Sequence, residues 1–173
     1  GEYRVRAPLR SVAQAGLLDY SLSYNMDKLL KYPNPIEIER IKPDVILLQN
    51  GFLGSVQEAW ELYEEYNQSF RIAGMDDVIH LLPNTHPKHK LWPNARKLVK
   101  KHLASSDRLI VANDVLAEEY SKFISDVRVV PNYLEKSRWE YLNLPKKQQG
   151  KKLRVGWAGG HEHQGDLDFI FPV

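Results

Sequence analysis

The sequence predicts an α/β protein built on a doubly wound, mostly parallel sheet. Two observations carry that prediction. Short apolar runs alternate along the chain with segments of helical periodicity, and the clearest run, Pro43-Asp44-Val45-Ile46-Leu47-Leu48-Gln49-Asn50-Gly51, is apolar without a break. A strand covered on both faces reads as a continuous run, whereas a half-exposed strand alternates polar and apolar residues. Strands and helices in alternation assemble through right-handed crossovers, and such sheets bind ligands beyond the carboxyl ends of their strands.

Taken in order, Leu9, Val12, Ala13 and Gly16 fall at i, i+3, i+4 and i+7 and mark one face of a helix. Pro8 suits its first turn and Gly16 its end. A short extended piece is expected over residues 20–24, then a turn at Pro33, Asn34 and Pro35, then the strand just described. Ser55 is expected to cap a helix whose stripe is Val56, Ala59, Trp60 and Tyr63, with Glu58, Glu61, Glu64 and Glu65 on the solvated side. Residues 70–75 read as a second strand, and a loop rich in Pro and His fills 76–93. The next helix carries Ala95, Leu98, Val99 and His102 on one face and basic residues on the other. Residues 107–112 form a third strand, Asn113 or Asp114 caps a helix with Leu116, Tyr120, Phe123 and Ile124 inward, and 127–130 make a fourth strand ended by Pro131-Asn132.

This layout divides the chain into a domain over residues 1–143, a polar linker over 144–152 and the beginning of a second domain over 153–173. The linker is Lys-rich, and the apolar run 153–158 followed by Gly159-Gly160 has the form of an opening strand and turn. A doubly wound domain normally begins with a central strand, yet the chain opens into a helix, so the first strand is expected to be missing from it. Trp139 and Trp157 are expected to serve as core anchors, because aromatic side chains mostly bury area.

Composition narrows the function classes. The chain has no cysteine, which excludes disulfides, thiolate metal sites and cysteine nucleophiles and points to a cytoplasmic setting. A formal net charge of +2 is too small to imply a nucleic-acid partner. Basic residues still cluster at Lys88, Lys90, Arg96, Lys97, Lys100 and Lys101, and again at Lys146, Lys147, Lys151 and Lys152. A solvated helix face and linker account for these, and peripheral contact with an anionic membrane surface is the sharper alternative.

Motifs spaced along nearly the whole chain resemble one family. Tyr3-Arg4-Val5-Arg6-Ala7-Pro8-Leu9 with Gly16 is similar to an early cleft-lining helix. Met75-Asp76-Asp77 running to Pro83-Asn84-Thr85-His86 is similar to paired aspartates followed by a Pro-Asn-Pro-His-like loop. Asp107 to Asn113, then Leu116-Ala117, then Val129-Val130-Pro131-Asn132 resembles the close of an acceptor domain, and Gly156-Trp157-Ala158-Gly159-Gly160-His161 with Asp166-Leu167 resembles the opening of a donor domain. Together they resemble bacterial glycosyltransferases of the GT-B type, with two Rossmann-like domains, of the surface-polysaccharide and O-antigen kind.

That resemblance implies a hexosyltransferase-like enzyme that moves a sugar from a nucleotide-diphosphate sugar to a glycan or lipid-linked acceptor, with no metal or other cofactor. The chain would be its N-terminal half, inactive by itself, working in the cytoplasm or at the inner membrane with the rest of a parent chain. Asp76, Asp77 and His86 would be catalytic: a carboxylate at a strand end can orient or deprotonate an acceptor hydroxyl, though the aspartates equally suit a turn cap and His86 a surface position. Gly159, Gly160, His161, His163 and Asp166 would bind the donor, since bare glycine amides can approach a phosphate; a ligand-free tight turn is the alternative. Tyr3, Arg4, Arg6, Asn50 and Gly51 would meet the acceptor. Two other functions fit the same residues: a nucleotide-sugar epimerase, or a non-catalytic docking module of a polysaccharide-assembly protein.

Overall fold

The computed structural model describes residues 2–23, 25–26, 29–30, 32–52, 54–84, 86, 89–142, 156–157, 159 and 164–170. Four strands, β3 (Val45–Gln49), β4 (Phe70–Met75), β5 (Arg108–Val111) and β6 (Val127–Val129), form one parallel sheet in the order β3-β4-β5-β6. The helices between them are α3 (Gly54–Tyr66), α4 (Ala95–Ala104) and α5 (Asp114–Tyr120). The protein is therefore α/β with a parallel, helix-flanked, Rossmann-like sheet that advances in one direction, as each half of a doubly wound sheet does. No helix among the described residues is long and apolar enough to cross a membrane.

Register decides what each face buries. Leu48 lies beside Ala73, Ala73 beside Leu109, and Met75 beside Val111, so these side chains share one face. Val99 and Leu103 of α4 and Leu116 and Tyr120 of α5 pack on its centre, with Ala73, Met75, Leu109 and Val111 essentially sealed. Ala59, Trp60 and Tyr63 of α3 cover Ile46 and Leu48, joined by Ile38 from a further helix, α2 (Pro35–Ile41). Burying such a set at roughly 25 cal/mol per Å² of apolar surface is the main term holding sheet and helices together.

The opposite face is less well covered. Val45 is 51 % exposed and Phe70 39 %, although the run 43–51 predicts burial on both sides. The reason is positional: the packed helices cover the face of Ile46, Leu48, Ala73 and Leu109, whereas Val45 and its neighbour Phe70 lie on the other, and β3 is also an edge strand, with a partner among the described residues on one side only. An unbroken apolar run reports that a strand is compatible with burial, and its place in the sheet decides how much it receives.

Local chemistry corrects other expectations. The Pro33-Asn34-Pro35 turn is the start of α2: Asn34 Oδ1 accepts from the Glu37 N–H at 3.0 Å, and the Glu37 carboxylate accepts from the Asn34 N–H at 2.8 Å, a capping box with Pro35 in the first turn. Ser55 lies within α3, which begins at Gly54, so it is not the cap. The piece expected to be extended over 20–24 has no regular structure through Ser23; the pairing follows it, as a short antiparallel contact between β1 (Asn25–Met26) and β2 (Leu29–Leu30). Asn113, not Asp114, caps α5 by accepting from the Leu116 N–H at 3.0 Å. Trp139 and Trp157 are 39 % and 49 % exposed, so neither is a core anchor; Trp60 is.

The N-terminal segment is helical from its first described residue, with a wider π-type turn over Glu2–Arg6 leading into α1 (Ala7–Gln14). Gly16, at φ +70°, ends the helix. Glu2 and Arg10 tie the segment to the end of the sheet domain, since Arg138 lies 3.4 Å from Glu2 and Arg10 lies 3.7 Å from Glu135. Two short helices, α6 (Lys136–Trp139) and α7 (Gln164–Ile170), and two 3-10 turns, Ile79–Leu81 and His89–Leu91, complete the described elements. Most of the run 153–158 lies outside the described residues.

Candidate functional site at the carboxyl rim of the sheet

The carboxyl ends of β3 and β4 bring together residues that the sequence keeps far apart. Asn50 follows β3 in the left-handed conformation, φ +53°, which asparagine tolerates better than most residues. Its N–H bonds to the Gly74 carbonyl at 2.9 Å, and its side-chain amide donates to Asp76 Oδ1 at 2.9 Å. The strand end and the left-handed turn thus aim one amide at one carboxylate.

Arg4 reaches the same rim from the N-terminal π-type turn. Its guanidinium donates to the Val130 carbonyl at 3.2 Å, to Asn132 Oδ1 at 3.1 Å and to the Ile110 carbonyl at 3.4 Å, all at the ends of β5 and β6. Burial lowers its pKa from the ordinary arginine value, and the nearby Asp76 carboxylate opposes that shift by favouring the cation. Arg4, Asn50 and Asp76 are therefore one electrostatic group.

Four buried polar atoms at this rim have no hydrogen-bond partner among the described residues: Arg4 Nε, both Gln49 amide atoms and Asn50 Oδ1. An unsatisfied buried group of this kind costs about 1–3 kcal/mol, so a cluster of them marks a place where the fold carries polar groups for something other than itself. Gly74 makes room for the amide, because a Cβ there would collide with Gln49 Oε1. Gln49 is a site residue that sequence patterns do not single out, and Asn132 stands out in them only as the end of the fourth strand. The signals available were a polar residue closing an apolar run and an asparagine after the last strand.

The other expected residues take different places. Gly51 is buried, and a Cβ there would collide with the Leu48 side chain and lie 3.2 Å from His102 Cε1, so packing explains this glycine. Asp77 contributes its backbone carbonyl, which accepts from Tyr120 Oη at 2.7 Å and anchors the loop to α5. His86 stands in the turn that follows, its N–H bonded to the Pro83 carbonyl at 2.9 Å. Tyr3 is 43 % exposed, and Arg6 pairs with Glu2 at 3.6 Å, within the helix that carries Arg4.

On the donor side, a Cβ on Gly159 would collide with the Trp157 ring, so that glycine lets the indole lie across the chain. Gly160, His161 and His163 lie outside the described residues, and Asp166 belongs to α7. Behind the rim, His102 is fully buried, its Nδ1 2.8 Å from Gln57 Oε1. Burial lowers its pKa to about 4, so the ring is neutral near pH 7 and donates from Nδ1 to Gln57.

Comparison of the chain with protein-family models, curated proteins and solved structures returns no match, so what the rim binds has to be argued from its own atoms.

Proposed function

We propose that the chain is the acceptor-side half of a nucleotide-sugar-dependent glycosyltransferase and that the rim formed by Arg4, Gln49, Asn50 and Asp76 holds the acceptor. The supporting observation is the mixture of unpaired atoms: Arg4 Nε and Gln49 Nε2 donate, whereas Gln49 Oε1 and Asn50 Oδ1 accept. A hydroxyl can do both, so a polyol satisfies all of them. A simple anion would leave the two acceptors unpaired.

In this mechanism Asn50 and Arg4 fix and polarise Asp76, which takes the proton as the acceptor oxygen bonds to the anomeric carbon. The bond from that carbon to the diphosphate breaks, and the diphosphate leaves with the electron pair. Gly159 and Gly160 are proposed to approach its phosphates through their amides. His86 remains a candidate contact beside the acceptor. The half-exposed face around Val45 and Phe70 favours a second function, a docking module, under which Asp76 would be silent.

The test is saturation-transfer NMR with a panel of oligosaccharides, comparing the chain with Asp76→Asn and Gln49→Leu. We expect saturable binding that weakens about tenfold in each variant, the loss of roughly 1.4 kcal/mol that one buried hydrogen bond represents. Absence of binding to every glycan, or binding by both variants as tight as by the unsubstituted chain, overturns the proposal.

A further inference from the structure

A cleft of about 490 Å³ lies between the 3-10 turn Ile79–Leu81 and the start of α4. His80, His89, Arg96, Lys97 and Lys100 line it, and no carboxylate is among the described residues that do. The cations are placed against ordinary helix chemistry. Arg96 and Lys97 occupy the first turn of a ten-residue helix that has no acidic residue there, although the positive end of the helix dipole disfavours cations. Asn94, at the cap position, makes no side-chain hydrogen bond to the first-turn amides. In a parallel α/β sheet the helix after each strand starts on the carboxyl side, so these amides face the side on which such sheets take their ligands.

His80 supplies an independent observation. Its side chain is completely buried, with Nε2 2.8 Å from Glu119 Oε1. The rings of Tyr120 and Phe123 hold it in place at centroid distances of 5.4 and 5.1 Å. Glu119 also pairs with Lys122. With Nε2–H given to the carboxylate, the remaining ring nitrogen, Nδ1, is buried without a partner among the described residues, on a residue that lines the cationic cleft.

The geometry points to a binding site for a phosphomonoester group in this cleft. Lys97, Lys100 and Arg96 supply charge, the first-turn amides of Arg96 and Lys97 supply N–H donors, that of Ala95 being bonded to the Trp92 carbonyl, and one proton is shared between a phosphate oxygen and His80 Nδ1. That shared proton distinguishes the site from a diffuse basic surface. It also makes the basic stretch after residue 88 functional in a way that a solvated helix face is not. The inference is independent of the sugar-transfer proposal, since it rests on none of the rim residues.

The test follows the His80 imidazole by nitrogen-15 NMR while inorganic phosphate, glycerol phosphate, or vesicles of phosphatidic acid in phosphatidylcholine are added. We expect saturable binding of inorganic phosphate and glycerol phosphate with a shift of the Nδ1 resonance, weakened about tenfold in the Arg96→Gln/Lys97→Gln double variant. Vesicle binding that moves the same resonance would make a lipid headgroup the source of the phosphate. Binding that leaves Nδ1 unmoved, an unchanged double variant, or no binding to any of the three overturns the site. Glycan binding at the rim is unaffected by any of these outcomes.

Discussion

Asn50 and Asp76, at the ends of neighbouring strands, are joined by a 2.9 Å hydrogen bond whose donor sits on a left-handed backbone. The hydrogen bond depends on residue 50 being asparagine and the backbone on its tolerating the left-handed region, and two substitutions separate them. Asn50→Gly removes the hydrogen bond and keeps the conformation accessible, whereas Asn50→Ala removes the bond and adds backbone strain. We expect the alanine variant to be less stable than the glycine variant by about 1 kcal/mol in urea unfolding. Equal stability would mean that the turn is not held in the left-handed region.

Gln49 and Gly74 form the next pair. Because a Cβ on Gly74 would meet Gln49 Oε1, Gly74→Ala is expected to displace the amide from the rim and destabilise the protein by about 1–3 kcal/mol, the usual cost of overpacking. Shortening residue 49 should relieve the collision, so Gln49→Ala in the Gly74→Ala background is expected to recover most of the loss. A double-mutant cycle in urea measures the coupling, and additive effects would contradict the contact.

Much of the fold is legible in the sequence because central strands and long helices carry strong local signals. Residues 70–75 and 107–112 read as strands because they lie inside the sheet, and Val99 and His102 read as one helix face. α2 is missed because Pro33 and Pro35 signal a turn, although the Asn34–Glu37 capping box is present in the same letters. The rim is harder to read. Asn50 and Asp76 are visible as polar residues at strand ends, but the unpaired state of the Gln49 amide and the reach of Arg4 to β5 and β6 depend on tertiary placement. Gly51 shows the converse: a glycine beside a candidate site is there for Leu48 and His102.

The outer edge of β3 has no partner strand among the described residues, and its flank shows Val45 at 51 % exposure. An open, apolar edge offers unpaired backbone groups to another strand. We expect the 173-residue chain to self-associate with rising concentration and Val45→Lys to suppress that association, as followed by sedimentation velocity. A first strand of a doubly wound sheet would occupy the same edge, so a peptide strand able to add there should also suppress association. A monomer at all concentrations would show the edge to be protected.

His102 gives the stability an acid limb of known sign. Its folded pKa, about 4, lies below its ordinary value of 6.5 because burial disfavours the charged ring. Above pH 6.5 the ring is neutral in both states and its contribution is fully present. As pH falls below 6.5 the unfolded chain gains a proton that the folded chain refuses, so stability drops until the folded ring protonates near pH 4. The shift corresponds to about 3 kcal/mol lost across that window. His102→Gln removes the titrating group and should lose correspondingly less stability between pH 7 and pH 4, even if it is weaker at neutral pH through loss of the Gln57 contact. Urea midpoints of both proteins measured through this range check the difference; parallel pH profiles would mean that His102 protonates as readily in the folded protein as in the unfolded chain.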